Sequence, residues 1–410
     1  MKIFKLSLIL VAAAAVVFGL SEVSFAFHNG GVAECTGCHQ MHNAATANLT
    51  IGVDPSSTCL ECHGEPGQSS YHVATPSAQM PAGTPPNNEG PGGDFGWLNK
   101  TYFPSVRNSV TTNYGYAHGH NITALGYDTG YLNGANDPKT QAPGGSFPTA
   151  QLGCTSCHDM HGKGRWTTAG TYSKTSGAIW TSGSYGSLPT TISGENLSTG
   201  VYRLLRAMDT VDGVTFGALP PVAVANSGYN RSEFFTQTRT AYGSGMSDFC
   251  GTCHPDMHTT SGILRHPTGQ VMAGSIQSNY NSYVKTGAMT GSVATSYLSL
   301  VPYEEGLTYS TANITTMKAH AVTNDSVLTG PSGAATIMCL SCHRAHATAF
   351  ESMLKWDASQ TTIVTAGAYP TGNSGLGYSA TEVSKGYNDY NVTKFSQYQR
   401  QLCNKCHAKD

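Results

Sequence analysis

The sequence predicts a chain that is mostly coil, with short α-helices and little β-structure. Three observations indicate this fold class. Charged residues make up only 11 % of the 410 residues, there are 47 glycines, and the 12 cysteines all fall in one repeated motif. The net charge of −2 gives no reason to expect nucleic acid or an anionic membrane as a partner. A chain so poor in branched aliphatic side chains needs something besides those side chains to form its core.

The repeated motif is Cys-x-x-Cys-His, and it occurs six times with no cysteine left over. Two thiols at this spacing reach both vinyl groups of one porphyrin, and the adjacent histidine reaches its iron, so the motif indicates covalent attachment of c-type haem. The predicted cofactor is therefore six covalent haem c groups with their iron. The predicted thioether cysteines are Cys35, Cys38, Cys59, Cys62, Cys154, Cys157, Cys250, Cys253, Cys339, Cys342, Cys403 and Cys406.

The alternatives for these cysteines are a disulfide scaffold and zinc knuckles. A disulfide scaffold has no reason to place histidine after every second cysteine. Zinc knuckles need paired Cys-x-x-Cys units close together, whereas most of these motifs are many tens of residues apart. Haem attachment is favoured, and the porphyrins would supply the apolar surface that the chain lacks. Modest helical patterns over 232–241, 349–356 and 394–404 add to the short helices expected at the motifs.

Residues 1–26 form a predicted signal peptide. Lys2 and Lys5 precede an apolar run that ends at Leu20, and Ser24 and Ala26 stand at the −3 and −1 positions of a cleavage site. No later segment reaches the roughly 20 apolar residues of a membrane span. We therefore expect an exported chain in which residues 27–410 form one continuous haem-binding domain.

Sixteen histidines are enough to give every iron two imidazole ligands, which would close both axial positions to a substrate. The predicted proximal ligands are His39, His63, His158, His254, His343 and His407. The preferred distal ligands are His28, His42, His120, His161, His266 and His346. His258 and His320 are kept in reserve, His72 is less favoured, and His118 is expected at the surface. Methionine is the rival distal ligand.

Three of the preferred distal residues, His42, His161 and His346, each follow a motif histidine by three residues. On one helical turn such residues share a face, so one imidazole would take its own haem and the next a stacked neighbour.

With these residues assigned, the chain resembles the filament-forming outer-surface hexahaem c-type cytochromes of metal-reducing bacteria, the OmcS type. The resemblance covers the whole chain after the signal peptide. It rests on strings beyond the haem motif itself: FHNGGVAECTGCHQMH, PGGDFGW, GHNI, TRTAYGSGMSDFCGTCH, LRHP, CLSCHRAHA and the terminal YQRQLCNKCHAKD.

The resemblance implies more than the residues show. It implies bis-histidine haems in one continuous stacked chain, with subunits joined head to tail. It also implies that His42 ligates the haem held by His343 of the next subunit, that other cytochromes donate electrons, and that insoluble Fe(III) and Mn(IV) oxides or partner cells accept them at the outer cell surface. The residues alone leave open a monomeric periplasmic electron shuttle. A multihaem reductase is less favoured, because all six motifs end in histidine, so we expect no enzyme.

Overall fold

A computed structural model describes the chain in segments. The described residues are 35–65, 67, 72–87, 90, 92–103, 105–106, 109–110, 112–127, 137–160, 165–166, 172–173, 178–179, 205–206, 209–217, 221–224, 236–258, 268–272, 274–308, 310–322, 328–371 and 377–407. The predicted signal peptide and three predicted distal ligands, His28, His161 and His266, lie outside them.

Helices in the described segments are short, as the sequence predicts. Eight α-helices occur there, and the longest has ten residues. They are α1 (Cys35–Cys38), α2 (Pro55–His63), α3 (Cys154–Cys157), α4 (Met246–Gly251), α5 (Pro255–His258), α6 (Gly274–Ser282), α7 (Thr311–His320) and α8 (Ala380–Gly386). Single 3₁₀ turns form the fifth and sixth haem motifs, at Cys339–Ser341 and Leu402–Lys405. No helix in these segments is long and apolar enough to cross a membrane.

The β-structure consists of two- and three-residue strands in small antiparallel pairings. The strands are β1 (Thr101–Tyr102), β2 (Ser105–Val106), β3 (Ser109–Val110), β4 (Asn113–Tyr114), β5 (Arg165–Trp166), β6 (Tyr172–Ser173), β7 (Ala178–Ile179), β8 (Asp209–Val211), β9 (Val214–Phe216), β10 (Ala223–Val224) and β11 (Ala241–Tyr242). Strand β1 pairs with β4, β2 with β3, β8 with β9 and β10 with β11, while β5 lies between β6 and β7. The fold class is therefore the predicted one, mostly coil with few short helices and little sheet.

Three helical patterns in the sequence were misleading. The described part of 232–241 ends in strand β11, which pairs with β10. The segment 349–356 holds only the 3₁₀ turn Glu351–Met353, because Ser352 and Met353 have φ of 59° and 62°. The segment 394–404 is interrupted at Tyr398, where φ is 61°. Left-handed backbone at a non-glycine residue ends a right-handed helix at once, and an amphipathic pattern does not reveal it.

The chain also builds an aromatic core of its own between the motifs. The largest buried cluster contains two tryptophans, seven tyrosines and two phenylalanines beside three isoleucines, three valines and four leucines. Tyrosine hydroxyls inside it reach backbone carbonyls, as when Tyr280 donates to the oxygen of Val301 at 2.7 Å. The shortage of aliphatic residues is therefore met partly by aromatic side chains, which bury large areas while their polar tips stay hydrogen-bonded.

Candidate haem-binding sites

Each haem motif is folded into one tight turn that brings its three functional side chains to one side. In five motifs the backbone N–H of the histidine donates to the carbonyl of the first cysteine, at 2.8–3.0 Å. The remaining motif, ending at His63, lies inside helix α2. Residues three and four apart in such a turn share a face. The two sulfurs and the imidazole therefore converge, which is the donor set that a c-type haem requires.

Consecutive motifs adjoin in chain order, a relationship that spacing alone did not predict. Burial raises the pKa of Cys38 most, and the nearby Cys62 raises it further. The first two motifs are therefore neighbours. A hydrogen bond from Cys59 to Cys154 joins the second motif to the third and raises the pKa of Cys59. Cys157 interacts with Cys253.

The C-terminal motifs continue this sequence. A hydrogen bond joins Cys250 to Cys339 and raises the pKa of Cys250 far above its ordinary value. Burial raises the pKa of Cys342 most, and Cys406 and Cys403 lie close enough to raise it further. In a haem-bound chain these sulfurs are thioethers and do not titrate, so the interactions record only which motifs are neighbours. The six motifs therefore form one unbroken series from the first to the last.

Two pairs of imidazoles face each other across spaces that suit a metal ion. The ring centroids of His120 and His254 are 6.1 Å apart, and those of His158 and His346 are 6.5 Å apart. Metal–imidazole bonds are about 2.0–2.1 Å long, so two opposed ligands have ring centroids about 6 Å apart. In each pair one histidine belongs to a haem motif and the other is a preferred distal candidate. The separation fits one iron between each pair.

The outer ring nitrogens of His120, His346 and His254 are already occupied. Nδ1 of His120 donates to the carbonyl oxygen of Ala345 at 2.6 Å, and Nδ1 of His346 donates to that of Gly93 at 3.3 Å. The proximal His254 does the same, since its Nδ1 donates to the carbonyl oxygen of Pro143 at 2.8 Å. An Nδ1–H donor fixes the tautomer that leaves Nε2 with its lone pair, as metal-ligating histidines require.

Two further motif histidines follow this pattern. Nδ1 of His39 donates to the carbonyl of Asn48 at 3.0 Å, and Nδ1 of His343 donates to that of Ser352 at 2.8 Å. The accepting carbonyls lie in irregular backbone with no motif of their own, and only the fold reveals them. Sequence reasoning had no signal by which to find them.

Burial keeps the two distal imidazoles neutral. Desolvation lowers the pKa of His120 to about 4 and that of His346 to about 3. A proton on Nε2 competes with a metal for the same lone pair, so a lowered pKa favours ligation at neutral pH.

His42 and His346 do not share a helical face with the motif histidine three residues before them. The first motif helix ends at Cys38, and His42 lies in a bend on the exposed surface. The helical-turn argument for these residues was therefore wrong. His346 faces His158, which belongs to a different motif.

The other candidates have different surroundings. Nε2 of His258 donates to Asp248 at 3.0 Å and its Nδ1 accepts from the Thr268 hydroxyl at 3.1 Å, so both ring nitrogens are engaged. Nδ1 of His320 donates to a Glu305 oxygen at 2.8 Å, an arrangement that leaves Nε2 oriented as in a ligand.

His72 and His118 complete the set. His72 Nε2 lies 3.1 Å from the Gly67 carbonyl. The expectation that His118 lies at the surface was wrong, since it is 1 % exposed and stacks on Tyr102 with ring centroids 3.5 Å apart.

Comparison with known proteins agrees with this arrangement. The doubled CXXCH motif family matches residues 28–68, which contain the first two motifs. The C-type cytochrome OmcS of Geobacter sulfurreducens is 45 % identical to this chain over 98 % of each sequence. The chain belongs to the OmcS family of c-type cytochromes.

Two solved structures of the G. sulfurreducens protein have the same fold. The structure of the Outer Membrane Cytochrome S filament matches with a TM-score of 0.79 and 43 % identity, covering 94 % of this chain and 100 % of the other. A cryo-EM structure of the OmcS nanowires matches with the same TM-score and 42 % identity, covering 93 % and 100 %. OmcS family membership and the Cys-x-x-Cys-His motifs agree on covalent c-type haem as the cofactor.

Proposed function

We propose that each of the six motifs binds one haem c, and that the chain transfers electrons along the series. When bound, each haem supplies an iron that alternates between the ferric and ferrous states. The chain's residues would bring these groups next to one another, because consecutive motifs are neighbours from Cys38 and Cys62 through to Cys342 and Cys406. This unbroken series is the observation that carries the proposal.

The proposed axial ligands are the six motif histidines with six distal partners. The facing pairs His120–His254 and His158–His346 support this assignment for two of the irons. His28, His42, His161 and His266 are proposed for the others, with His258 and His320 in reserve. Two imidazoles on an iron leave no axial position for a substrate, so the proposed role is electron transfer and not catalysis. Carbon monoxide binding by most of the reduced haems would contradict it.

We further propose that subunits polymerise head to tail, with His42 completing the haem held by His343 of the neighbouring subunit. His42 is exposed beside Met41, whose side chain is 83 % exposed. Neither of the two facing imidazole pairs includes His42 or His343. The two similar solved structures are filaments. A heterologous contact of this kind does not close on itself, so it generates an open polymer.

The proposed setting is the outer cell surface or an extracellular filament, reached by export through residues 1–26. Other cytochromes would donate electrons, and insoluble Fe(III) or Mn(IV) oxides or partner cells would accept them. Residues 27–410 would act as one domain, because the neighbouring motifs run through the described segments without a break.

Negative-stain electron microscopy of protein sheared from cells tests the assembly. We expect filaments from the wild type and from His72→Ala, whose ring nitrogens already contact Glu65 and Gly67. We expect no filaments from His42→Ala while its haem content stays complete. Discrete particles from the wild type as well would mean a monomeric periplasmic shuttle. Saturable turnover of nitrite would support a reductase instead.

A further inference from the structure

The last haem motif contains a buried lysine. Lys405 stands between Cys403 and Cys406 in the 3₁₀ turn Leu402–Lys405, and it is 3 % exposed. Its Nζ donates to the carbonyl oxygen of Tyr283 at 2.9 Å. The same nitrogen lies 4.4 Å from the centroid of the Tyr280 ring. The side chain therefore points into the protein and not to solvent.

No carboxylate lies within ion-pairing distance of Lys405 in the described part of the chain. Arg239, which is equally buried, differs because it pairs with Glu305 at 2.8 Å, and the less buried Lys100 pairs with Glu382 at 2.8 Å. Among the described residues, the Lys405 charge contacts a carbonyl dipole and the rings of Tyr280 and Tyr283. An unpaired buried charge acts strongly on its surroundings, because little water screens it.

The ammonium group is also fixed relative to the motif. Helix α6 carries Tyr280, and its Asn279 side chain donates to the carbonyl of Cys406 at 3.0 Å. The helix therefore holds the motif backbone and the lysine side chain together. Lys405 cannot turn outwards without losing both its hydrogen bond and its aromatic contact.

The other motifs have no cation at this position. The residue just before the second cysteine is uncharged in four of them, and the second motif has an exposed carboxylate there. These residues are Gly37, Glu61, Ser156, Thr252 and Ser341.

We propose that the charge of Lys405 raises the reduction potential of the haem bound by Cys403, Cys406 and His407. A ferrous haem has one positive charge fewer than a ferric one, so a fixed cation beside it favours reduction. The last motif would then hold an electron more readily than the same site without this cation. This inference rests on the proposed function, since it requires a haem at this motif.

A spectroelectrochemical redox titration of the full-length haem-loaded protein tests the inference. Lys405→Met keeps the apolar volume and removes the charge, and Lys405→Gln keeps a hydrogen-bond donor for the Tyr283 carbonyl. The matched control is Lys285→Gln, which removes an exposed lysine just beyond helix α6. We expect both Lys405 variants to have about a tenfold higher ferric-to-ferrous ratio at one haem, measured at the potential that is the midpoint of that haem in the wild type. This change corresponds to 59 mV for a one-electron couple.

The Lys285→Gln control should leave the midpoint potentials of all haem components unchanged. Unchanged titrations of both Lys405 variants, with complete haem and low-spin spectra, would overturn the inference, as would an equal shift in Lys285→Gln. Mass spectrometry of the wild type distinguishes this result from failure of the proposed function. A chain without haem at Cys403 and Cys406 would contradict the six-haem proposal itself.

Discussion

The imidazole of His346 lies opposite that of His158, with ring centroids 6.5 Å apart and ring planes 59° apart. The two residues come from the fifth and third haem motif regions, so the contact joins distant parts of the chain. Its separation is that of two axial ligands on one iron.

Replacing His346 by alanine should open one axial position. We expect His346→Ala to bind carbon monoxide at one reduced haem and to show one high-spin component, because no second imidazole then faces His158. Absorption and EPR spectra measure both effects. His72→Ala is the control, since its ring nitrogens already contact Glu65 and Gly67. An unchanged low-spin spectrum in His346→Ala would contradict the assignment.

Gly93 should tolerate no side chain. Its φ is +81°, and a Cβ there would lie 1.8 Å from the carbonyl oxygen of Ala347, beside the turn that holds His346. We expect Gly93→Ala to lower the free energy of unfolding by about 3 kcal/mol or more, combining backbone strain with the steric clash.

Gly83→Ala is the matched control for this substitution. Gly83 has nearly the same φ, +82°, but its nearest atom would be 3.9 Å from the new Cβ. Gly83→Ala should lower the free energy of unfolding by only about 1 kcal/mol, which is the contribution of backbone strain alone. Guanidinium titrations of both variants measure the difference, and equal losses would show that the close approach to Ala347 has no effect.

The buried His118 should make stability depend on pH. Burial lowers its pKa to about 3, whereas an unfolded histidine has a pKa of about 6.5. Below pH 6.5 the unfolded chain binds a proton that the folded chain does not, so this residue's effect is to reduce stability as pH falls towards 3.

We expect His118→Phe, which keeps an aromatic ring against Tyr102, to weaken the loss of stability between about pH 6 and pH 4. Guanidinium midpoints at a series of pH values measure this. The same pH profile in both proteins would rule out His118 as a cause.

The ion pair between Arg239 and Glu305 is buried, with side chains 3 % and 9 % exposed. Arg239→Met should lower the free energy of unfolding by about 3–5 kcal/mol, because it leaves a buried carboxylate without its cation. Lys385→Met removes the partner of Asp389 in a pair that is 24 % and 25 % exposed, and it should cost less than about 1 kcal/mol. Adding Glu305→Gln to Arg239→Met should recover part of the loss in the same denaturation assay.

The haem motifs and the coil-rich fold could be predicted from the sequence because each motif is local. Five residues define a motif, and its turn is closed by one hydrogen bond from the histidine to the first cysteine. The low content of aliphatic residues indicated the shortage of regular structure. Both signals are independent of how distant segments meet.

The pairing of ligands could not be predicted, because it depends on long-range packing. His120 and His118 are two residues apart in sequence, yet one faces His254 and the other stacks on Tyr102. Helix α7 was missed for a related reason. It begins where the Ser310 hydroxyl accepts from the N–H of Asn313, and its residues show almost no apolar periodicity.

The contact between His158 and His346 also makes the third site depend on the end of the chain. The cysteines of the third motif lie in the first half of the sequence, whereas the residue opposite its histidine belongs to the last sixth. A chain that stopped before residue 346 would therefore lack the proposed second ligand of the third site. Such a fragment would have only the motif histidine there, which would leave the second axial position of the proposed haem open.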